Sequence, residues 1–112
     1  MLNDKSVLAS AFNLAKKVLN DHENDASRVE QLTQQVLSRS PSPYESEILL
    51  GELLRLREHY DTEAVEAEKL VQQHAETTAT YVALPEVQPG ELAAWTLVAS
   101  TLLNLDEAQT RE

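Results

Sequence analysis

The chain has 112 residues, of which 42% are apolar and none is cysteine. Disulfides and zinc sites built on thiolates are therefore excluded. Nineteen acidic against nine basic residues give a formal net charge of -10, which repels the phosphates of nucleic acids and the surfaces of anionic membranes. We expect a single domain over residues 1–112, no nucleic acid among its partners and, for want of a run of roughly 20 apolar residues, no membrane span.

Two amphipathic helices are predicted in the first third of the chain. Asn3 or Asp4 can cap the first helix, in which apolar residues recur at intervals of three and four. The polar stretch 20–25 favours a turn, and Asp25 can start a second helix that runs to about Ser38. Both helices have one apolar stripe, so each is expected to pack by one side.

The stretch SPSPYESE, residues 40–47, carries the clearest helix-start signal. Ser42 can act as the N-cap, Pro43 occupies a position where a missing N–H costs nothing, and Glu45 can complete a capping box. A third helix therefore begins here. Gly51 within it is either a weak point or a place where another helix approaches closely.

The second half of the chain predicts two further helices and a connection between them. Asp61 or Thr62 can cap a fourth helix that runs to about His74. Residues 75–88 have no helical period and are rich in β-branched residues, which indicates an irregular or partly extended segment. The last helix begins near Pro89.

The last helix is expected to bury one apolar side and to end at Asn104, a plausible C-terminal cap. Beyond it, Asp106 and Glu107 are expected to open a short terminal turn. Because an exposed pair of charges is worth only a few tenths of a kcal/mol, the order of this tail is predicted to depend on Leu105 docking against the bundle.

These patterns predict an all-α bundle of four to five helices, mostly antiparallel because the first three connections are short, with an irregular segment before the last helix. The expected core residues are Leu8, Phe12, Ala15, Leu19, Leu32, Val36, Ile48, Leu53, Leu56, Trp95, Val98 and Leu102.

No set of residues converges on a catalytic or metal-binding pattern. The chain lacks the Glu-x-x-His of metal sites in helical bundles, a Gly-x-Ser-x-Gly elbow and a glycine-rich phosphate loop. His59, Glu63 and Glu66 are spaced for a weak surface metal site, although solvated charge is the favoured interpretation. We therefore predict no catalytic residue, no metal ligand and no cofactor in this chain.

Two aromatic residues, Tyr81 and Trp95, are the candidate ligand contacts. Together with Tyr44 they would form a stacking platform for a sugar or a peptide. The register of Trp95 with its apolar neighbours favours a core position instead, with the indole N–H bonded to a carbonyl. If the chain lends residues to the cleft of an enzyme, Glu86 and Glu91 would be candidate contacts together with Tyr81 and Trp95, since they lie near the irregular segment.

Three stretches resemble the planctomycete-specific C-terminal domain of unknown function, found in large planctomycete cytochrome c-type proteins. ELAAWTLVASTLLNLDEAQTRE, residues 91–112, is similar to its closing helix, which carries LLN-x-DE near its end. MLNDKSVLASAFNLAKKVL, residues 1–19, resembles its LND…A…LA…L helix, and LTQQVLSRSPSPYESEILLGEL, residues 32–53, resembles its LSR-x-P-(T/S)-x-x-E junction. Ala108 departs from the family, which often has an aromatic residue after Asp-Glu.

The resemblance implies that the chain is the C-terminal end of a much larger exported protein, located outside the cytoplasm, with any haem motif far upstream. No catalytic residue is established for the family. The leading hypothesis is a non-catalytic helical scaffold or interaction module that packs against the remainder of that protein or associates with itself. The alternative is an accessory part of an enzyme that acts on a polysaccharide or another polymer.

Overall fold

In the residues that the structure describes, the protein is an all-α bundle of five helices, as the sequence predicts. The computed structural model describes residues 5–77 and 87–110, and no strand occurs among them. The helices are α1 (Lys5–Asp21), α2 (Asp25–Leu37), α3 (Pro43–Thr62), α4 (Ala64–Thr77) and α5 (Pro89–Thr110). None of these described helices is both long enough and apolar enough to cross a membrane.

Helix α5 is the central helix of the bundle. The other four helices each contact α5, and they contact one another in the order α1, α2, α3, α4 and back to α1. They thus form a ring around it. Between Leu92 and Leu102 every residue of α5 except Leu97 and Thr101 is buried. The sequence predicts one buried side for this helix, and the ring explains why the structure buries it almost all round.

Buried hydroxyl groups accompany the apolar residues of the centre. Thr96 on α5 donates its hydroxyl to the carbonyl of Leu92 at 2.7 Å, and Thr33 on α2 donates to the carbonyl of Val29 at 2.8 Å. A buried hydroxyl is tolerated when it has a hydrogen-bond partner, and here the preceding helical turn supplies one. Small polar residues can therefore line the centre without a cost in unpaired groups.

Most of the predicted core residues are buried or packed against the core, whereas Leu8 is only half-buried and Ile48 is exposed. Its side chain is 52% exposed, whereas the neighbouring Leu49 is 5% exposed. Successive residues of a helix are turned by about 100°, and α3 points Leu49, Leu53 and Tyr60 inward. The expectation that Ile48 belongs to the core is therefore wrong.

The fourth helix packs against the bundle by a narrow stripe. Ala64 and Val65 are exposed, the latter by 63%, while Ala67 and His74 are the buried residues of this helix among those described. The predicted cap is displaced as well, since α3 continues to Thr62 and a single residue, Glu63, separates it from α4.

The end of the chain differs from the prediction. Helix α5 does not stop at Asn104 but continues to Thr110, and the Asn104 side-chain amide donates to the carbonyl of Ser100 at 3.0 Å, one turn earlier in the same helix. Leu105 is 48% exposed, so it does not dock as expected.

Helix α4 also extends past its predicted end at His74, and it takes in residues 75–77 of the predicted irregular segment. Residues 78–86 of that segment lie outside the described residues.

The predicted capping box at the start of α3 is confirmed. The backbone N–H of Glu45 donates to the Ser42 hydroxyl at 3.1 Å, and the Glu45 carboxylate accepts from the backbone N–H of Ser42 at 2.9 Å. Arg39 adds two hydrogen bonds to the same carboxylate, at 2.7 and 2.8 Å. These bonds, those from Arg39 above all, lower the pKa of Glu45 to about 2.

Replacing Ser42 with alanine is expected to lower the free energy of unfolding by about 1 kcal/mol, because the cap oxygen is lost and an N–H of the first turn of α3 is left to water. Urea unfolding followed by circular dichroism measures the change. Ser46→Ala, one turn further on, is the control and should change stability by less than about 0.5 kcal/mol. Equal effects of the two substitutions would contradict the role of the cap.

Among the described residues, Gly51 is not a place of close approach. A β-carbon built at this position meets no atom within 4 Å, and Gly51 lies on the exposed side of α3. Gly51→Ala is therefore expected to raise the free energy of unfolding by about 0.5–1 kcal/mol, because alanine loses less backbone entropy in a helix. Thermal unfolding of a dilute sample tests this, and a lower midpoint for the variant would be inconsistent with the open space.

Candidate functional site

The best-defined polar cluster of the described chain is built around Arg57. Its guanidinium group donates to both oxygens of Asp25, at 2.8 and 2.9 Å, and to both oxygens of Glu91, at 2.9 and 2.5 Å. One oxygen of Glu91 also accepts the indole N–H of Trp95 at 2.9 Å. The three charged side chains are 26–34% exposed, so water reaches the rim of the cluster.

Three helices bring these side chains together. Asp25 and Glu91 lie in the first turns of α2 and α5, where the partial positive charge of a helix N-terminus favours carboxylates. Arg57 lies on α3, one turn after the buried Leu53, and Trp95 follows Glu91 by one turn of α5. The planar guanidinium group can hold two carboxylates at once, a geometry that lysine cannot reproduce.

The electrostatic effects in this cluster follow from the hydrogen bonds. Those from Arg57 lower the pKa of Asp25, against the opposing effect of partial burial. Bonds to Glu91 and then to Asp25 raise the pKa of Arg57 above its ordinary value. A carboxylate held in this way stays ionised and fully engaged, which suits a fixed structural link rather than a general base that must exchange protons.

An open cleft of about 600 Å³ lies beside the cluster, between α3 and the first turns of α4 and α5. Its lining includes Tyr60, Glu68 and Gly90 together with Arg57 and Glu91. The last two are the cluster residues, so their charges are already paired with each other and with Asp25. The cleft therefore offers carboxylates at its walls but no free cationic group among the residues that line it.

A second, apolar groove of about 130 Å³ lies between α2, α3 and the C-terminal half of α5. Leu37, Ile48 and Leu105 form its outer edges, and Leu49 and Leu102 form its floor. Ile48, predicted to lie in the core, and Leu105, predicted to dock against the bundle, both flank this surface depression.

The candidate metal ligands do not assemble. His59 and Glu66 approach to 3.4 Å across the junction of α3 and α4, with both side chains at least half exposed. No group of three or more potential metal ligands occurs within residues 5–77 and 87–110. The contact is thus an exposed pair of the kind that contributes little to stability.

Of the two candidate ligand contacts, Trp95 alone lies within the described residues. Trp95 is 0% exposed, so the core interpretation holds, although the acceptor of its N–H is the Glu91 carboxylate and not a carbonyl. Tyr81 and Glu86 lie outside the described residues. Tyr44 is 73% exposed at the other end of α3, distant in sequence and structure from the cluster.

Sequence reasoning missed Arg57, the residue that holds the cluster together. One signal was available: Arg57 follows Leu53 by four residues and precedes Tyr60 by three, which places it on the inward side of α3. Its partners, 32 and 34 residues away, left no local pattern.

Comparisons of the chain with protein-family models, with curated proteins and with solved structures found no match.

Proposed function

We propose that this chain is a non-catalytic helical scaffold or interaction module that packs against the remainder of a larger exported protein. One observation carries the proposal: α3 is apolar on two opposite sides, and the described chain covers one of them. Leu49, Leu53 and Tyr60 point into the bundle. On the other side, the exposed side chains include Tyr44 and Leu54.

The uncovered side forms a continuous surface, which we call the α3 outer face. All of its residues are exposed, and they follow one another at the three- and four-residue spacing that places side chains next to each other on a helix. The α3 outer face consists of Tyr44, Glu47, Ile48, Gly51, Leu54, Arg55 and Glu58.

The exposure of its large apolar residues is what the proposal explains. Tyr44, Ile48 and Leu54 are 73%, 52% and 58% exposed. A single exposed leucine is ordinary, but several large apolar side chains exposed on one side of a helix are typical of a surface that another protein covers. The α3 outer face is therefore the expected contact surface of the module.

The polar chemistry of the described residues supports the same function. In the Arg57 cluster, the charged groups of Arg57, Asp25 and Glu91 bond to one another and thereby join α2, α3 and α5. The indole of Trp95 is buried. The resemblance to the planctomycete domain supplies the proposed partner, the upstream part of a large protein outside the cytoplasm.

A titration tests the proposal. The region encoded upstream of this chain is produced separately and titrated with the chain by isothermal calorimetry, with circular dichroism to verify folding. Leu54→Lys is expected to weaken binding at least about tenfold, because a charged group replaces an apolar contact. Val65→Lys, at a similarly exposed apolar residue of α4, is the matched control and should bind as the unmodified chain does.

Two results would contradict the proposal. If the upstream region does not bind the unmodified chain, it is not the partner. A reading frame with no coding sequence upstream of Met1 would exclude the proposed partner in the same way. Equal loss of binding in Leu54→Lys and Val65→Lys would show that the α3 outer face has no special part in the contact.

A further inference from the structure

We infer that the α3 outer face binds the same face of a second copy of this chain, with the two α3 helices antiparallel and a two-fold axis passing beside Gly51. The inference rests on the proposed function, that of an interaction module. The second copy and the upstream region would occupy the same surface, so each excludes the other, and the second copy pairs with the α3 outer face when the upstream region does not cover it. Three features support it: the spacing of the exposed residues, the glycine at their centre and the matching of side chains on either side of that glycine.

The spacing suits a second helix as the occupant. Tyr44, Gly51 and Glu58 are seven residues apart, and Glu47 and Leu54 lie between them at the same seven-residue interval. Positions that recur every three and four residues form a straight seam along a helix, which is the geometry used in pairs of packed helices. All of these residues are exposed, so nothing in the described chain blocks the seam.

Gly51 lies at the middle of the seam and lets the two helices approach closely. The space beside it is open, since a β-carbon there would meet no atom within 4 Å. A glycine inside a helix costs about 0.5–1 kcal/mol relative to alanine, and no contact within the described chain requires it. In a symmetric pair the two glycines would face each other, where the absence of side chains shortens the distance between the helix axes.

The residues on either side of Gly51 match when the face is turned onto itself. In an antiparallel pair centred at Gly51, a residue that precedes Gly51 by some number of positions lies level with the residue that follows Gly51 of the second copy by the same number. Glu47 then lies level with Arg55 of the second copy and within reach of it across the seam, while Ile48 and Leu54 lie at opposite edges of the face and flank the seam. Because the interface is isologous, the pairing of Glu47 with Arg55 occurs twice.

Charge complementarity selects this register. Glu47 and Arg55 form no ion pair within the described chain, so both are available to the second copy. Moving the two-fold axis by three or four residues along α3, in either direction, separates Glu47 from Arg55 of the second copy. Cross-interface pairs of this kind fix orientation and register.

The pair is expected to be weak. Each copy carries a net charge of -10, which opposes association, and one face of a single helix buries less than the roughly 1,200 Å² found in stable complexes. Sedimentation equilibrium in about 0.15 M salt, where charges more than about 8 Å apart are largely screened, is expected to show a monomer–dimer equilibrium with a dissociation constant in the range of about 10 µM to 1 mM.

Gly51→Gln is the first test variant. Its added side chain has open space in the monomer and is neutral, so the fold and net charge are retained while the close approach is blocked. The dissociation constant is expected to rise at least about tenfold. Val65→Lys, which changes an exposed apolar residue of α4, is the control and should dimerise at least as well as the unmodified chain.

Charge reversal is the second test and is specific for the register. Glu47→Arg and Arg55→Glu are each expected to weaken dimerisation, since like charges then face each other twice. Glu47→Arg reduces the net charge and would strengthen association if overall repulsion alone decided it. The double variant keeps the net charge of -10 and restores the opposite pairing, so its dissociation constant should return to within about threefold of the original.

Three outcomes would overturn the inference: a monomer up to about 1 mM, a dimer unaffected by Gly51→Gln, or a double charge variant that fails to recover. A monomer that still binds the upstream region through Leu54 would refute self-pairing and leave the proposed function standing. A dimer that does not bind the upstream region would support self-pairing and refute the upstream region as the partner.

Discussion

Trp95→Ala is expected to lower the free energy of unfolding by about 3–5 kcal/mol. Trp95 is fully buried on the central helix, and alanine would leave a cavity that the surrounding helices fill only in part. The Glu91 carboxylate also loses the indole N–H. Since a domain of this size has a stability of about 5–15 kcal/mol, the loss is a large fraction of the total, and urea unfolding followed by circular dichroism measures it.

Two comparisons separate the contributions to the effect of Trp95→Ala. Trp95→Phe keeps most of the ring and removes the hydrogen bond to Glu91, so a smaller loss of about 1–3 kcal/mol is expected. Leu105→Ala, on the same helix at a 48% exposed residue, should cost about 0.5 kcal/mol. If Leu105→Ala were as damaging as Trp95→Ala, the burial assigned to the two residues would be wrong.

Arg57→Met is expected to lower the free energy of unfolding by about 1–3 kcal/mol. Methionine keeps the aliphatic part of the side chain, while four hydrogen bonds to carboxylates are lost and Asp25 and Glu91 are left as neighbouring like charges. The partial exposure of these groups limits the effect because water and salt screen it. Chemical unfolding at pH 7 measures the change.

Arg55→Met is the matched control for this substitution. It removes the same group from an exposed residue of the same helix, two positions away, and should change monomer stability by less than about 0.5 kcal/mol. A change as large as that of Arg57→Met would indicate a general effect of charge. Arg57→Lys should lie between the two, since lysine keeps the charge but cannot bind two carboxylates bidentately.

The effect of Arg57→Met should also depend on pH. The pKa of Asp25 is lowered in the folded protein, so its contribution to stability is fully present above the unfolded value near 3.8 and is lost as the pH falls below it. The difference in stability between the unmodified chain and Arg57→Met is therefore expected to be constant from pH 5 to 7 and to shrink below about pH 4. A difference that grows on acidification would contradict this assignment.

Local signals in the sequence sufficed for the helices. The Ser42 capping box and the three- and four-residue apolar spacing are properties of neighbouring residues, and they identified the fold class and the start of α3 correctly. The end of α5 was misjudged because Asn104 is equally suited to a C-cap and to a position inside a helix, where its side chain bonds the carbonyl of Ser100.

Relations between distant residues could not be predicted. Ile48 and Leu49 are equally apolar, and although the spacing of Leu49 with Leu53 and Tyr60 favours Leu49, which side of α3 is covered depends on where α5 lies. The Arg57 cluster joins residues more than 30 positions apart, so no periodic pattern in the sequence predicts which residues bond to Arg57. Trp95 could be assigned to the core from its register, yet the acceptor of its N–H depends on the packing of α3 against α5.

The position of α5 inside the ring also constrains the order in which this protein can fold. Helix α5 follows the other four in the chain, yet it fills the space that all of them surround, so α1 to α4 have no completed core until it arrives. Contacts between α1 and α5 join segments separated by most of the described chain, and such non-local contacts slow folding. On the ribosome, four helices with uncovered apolar stripes would emerge before their common centre does, so their apolar surface would stay exposed until α5 has been synthesised.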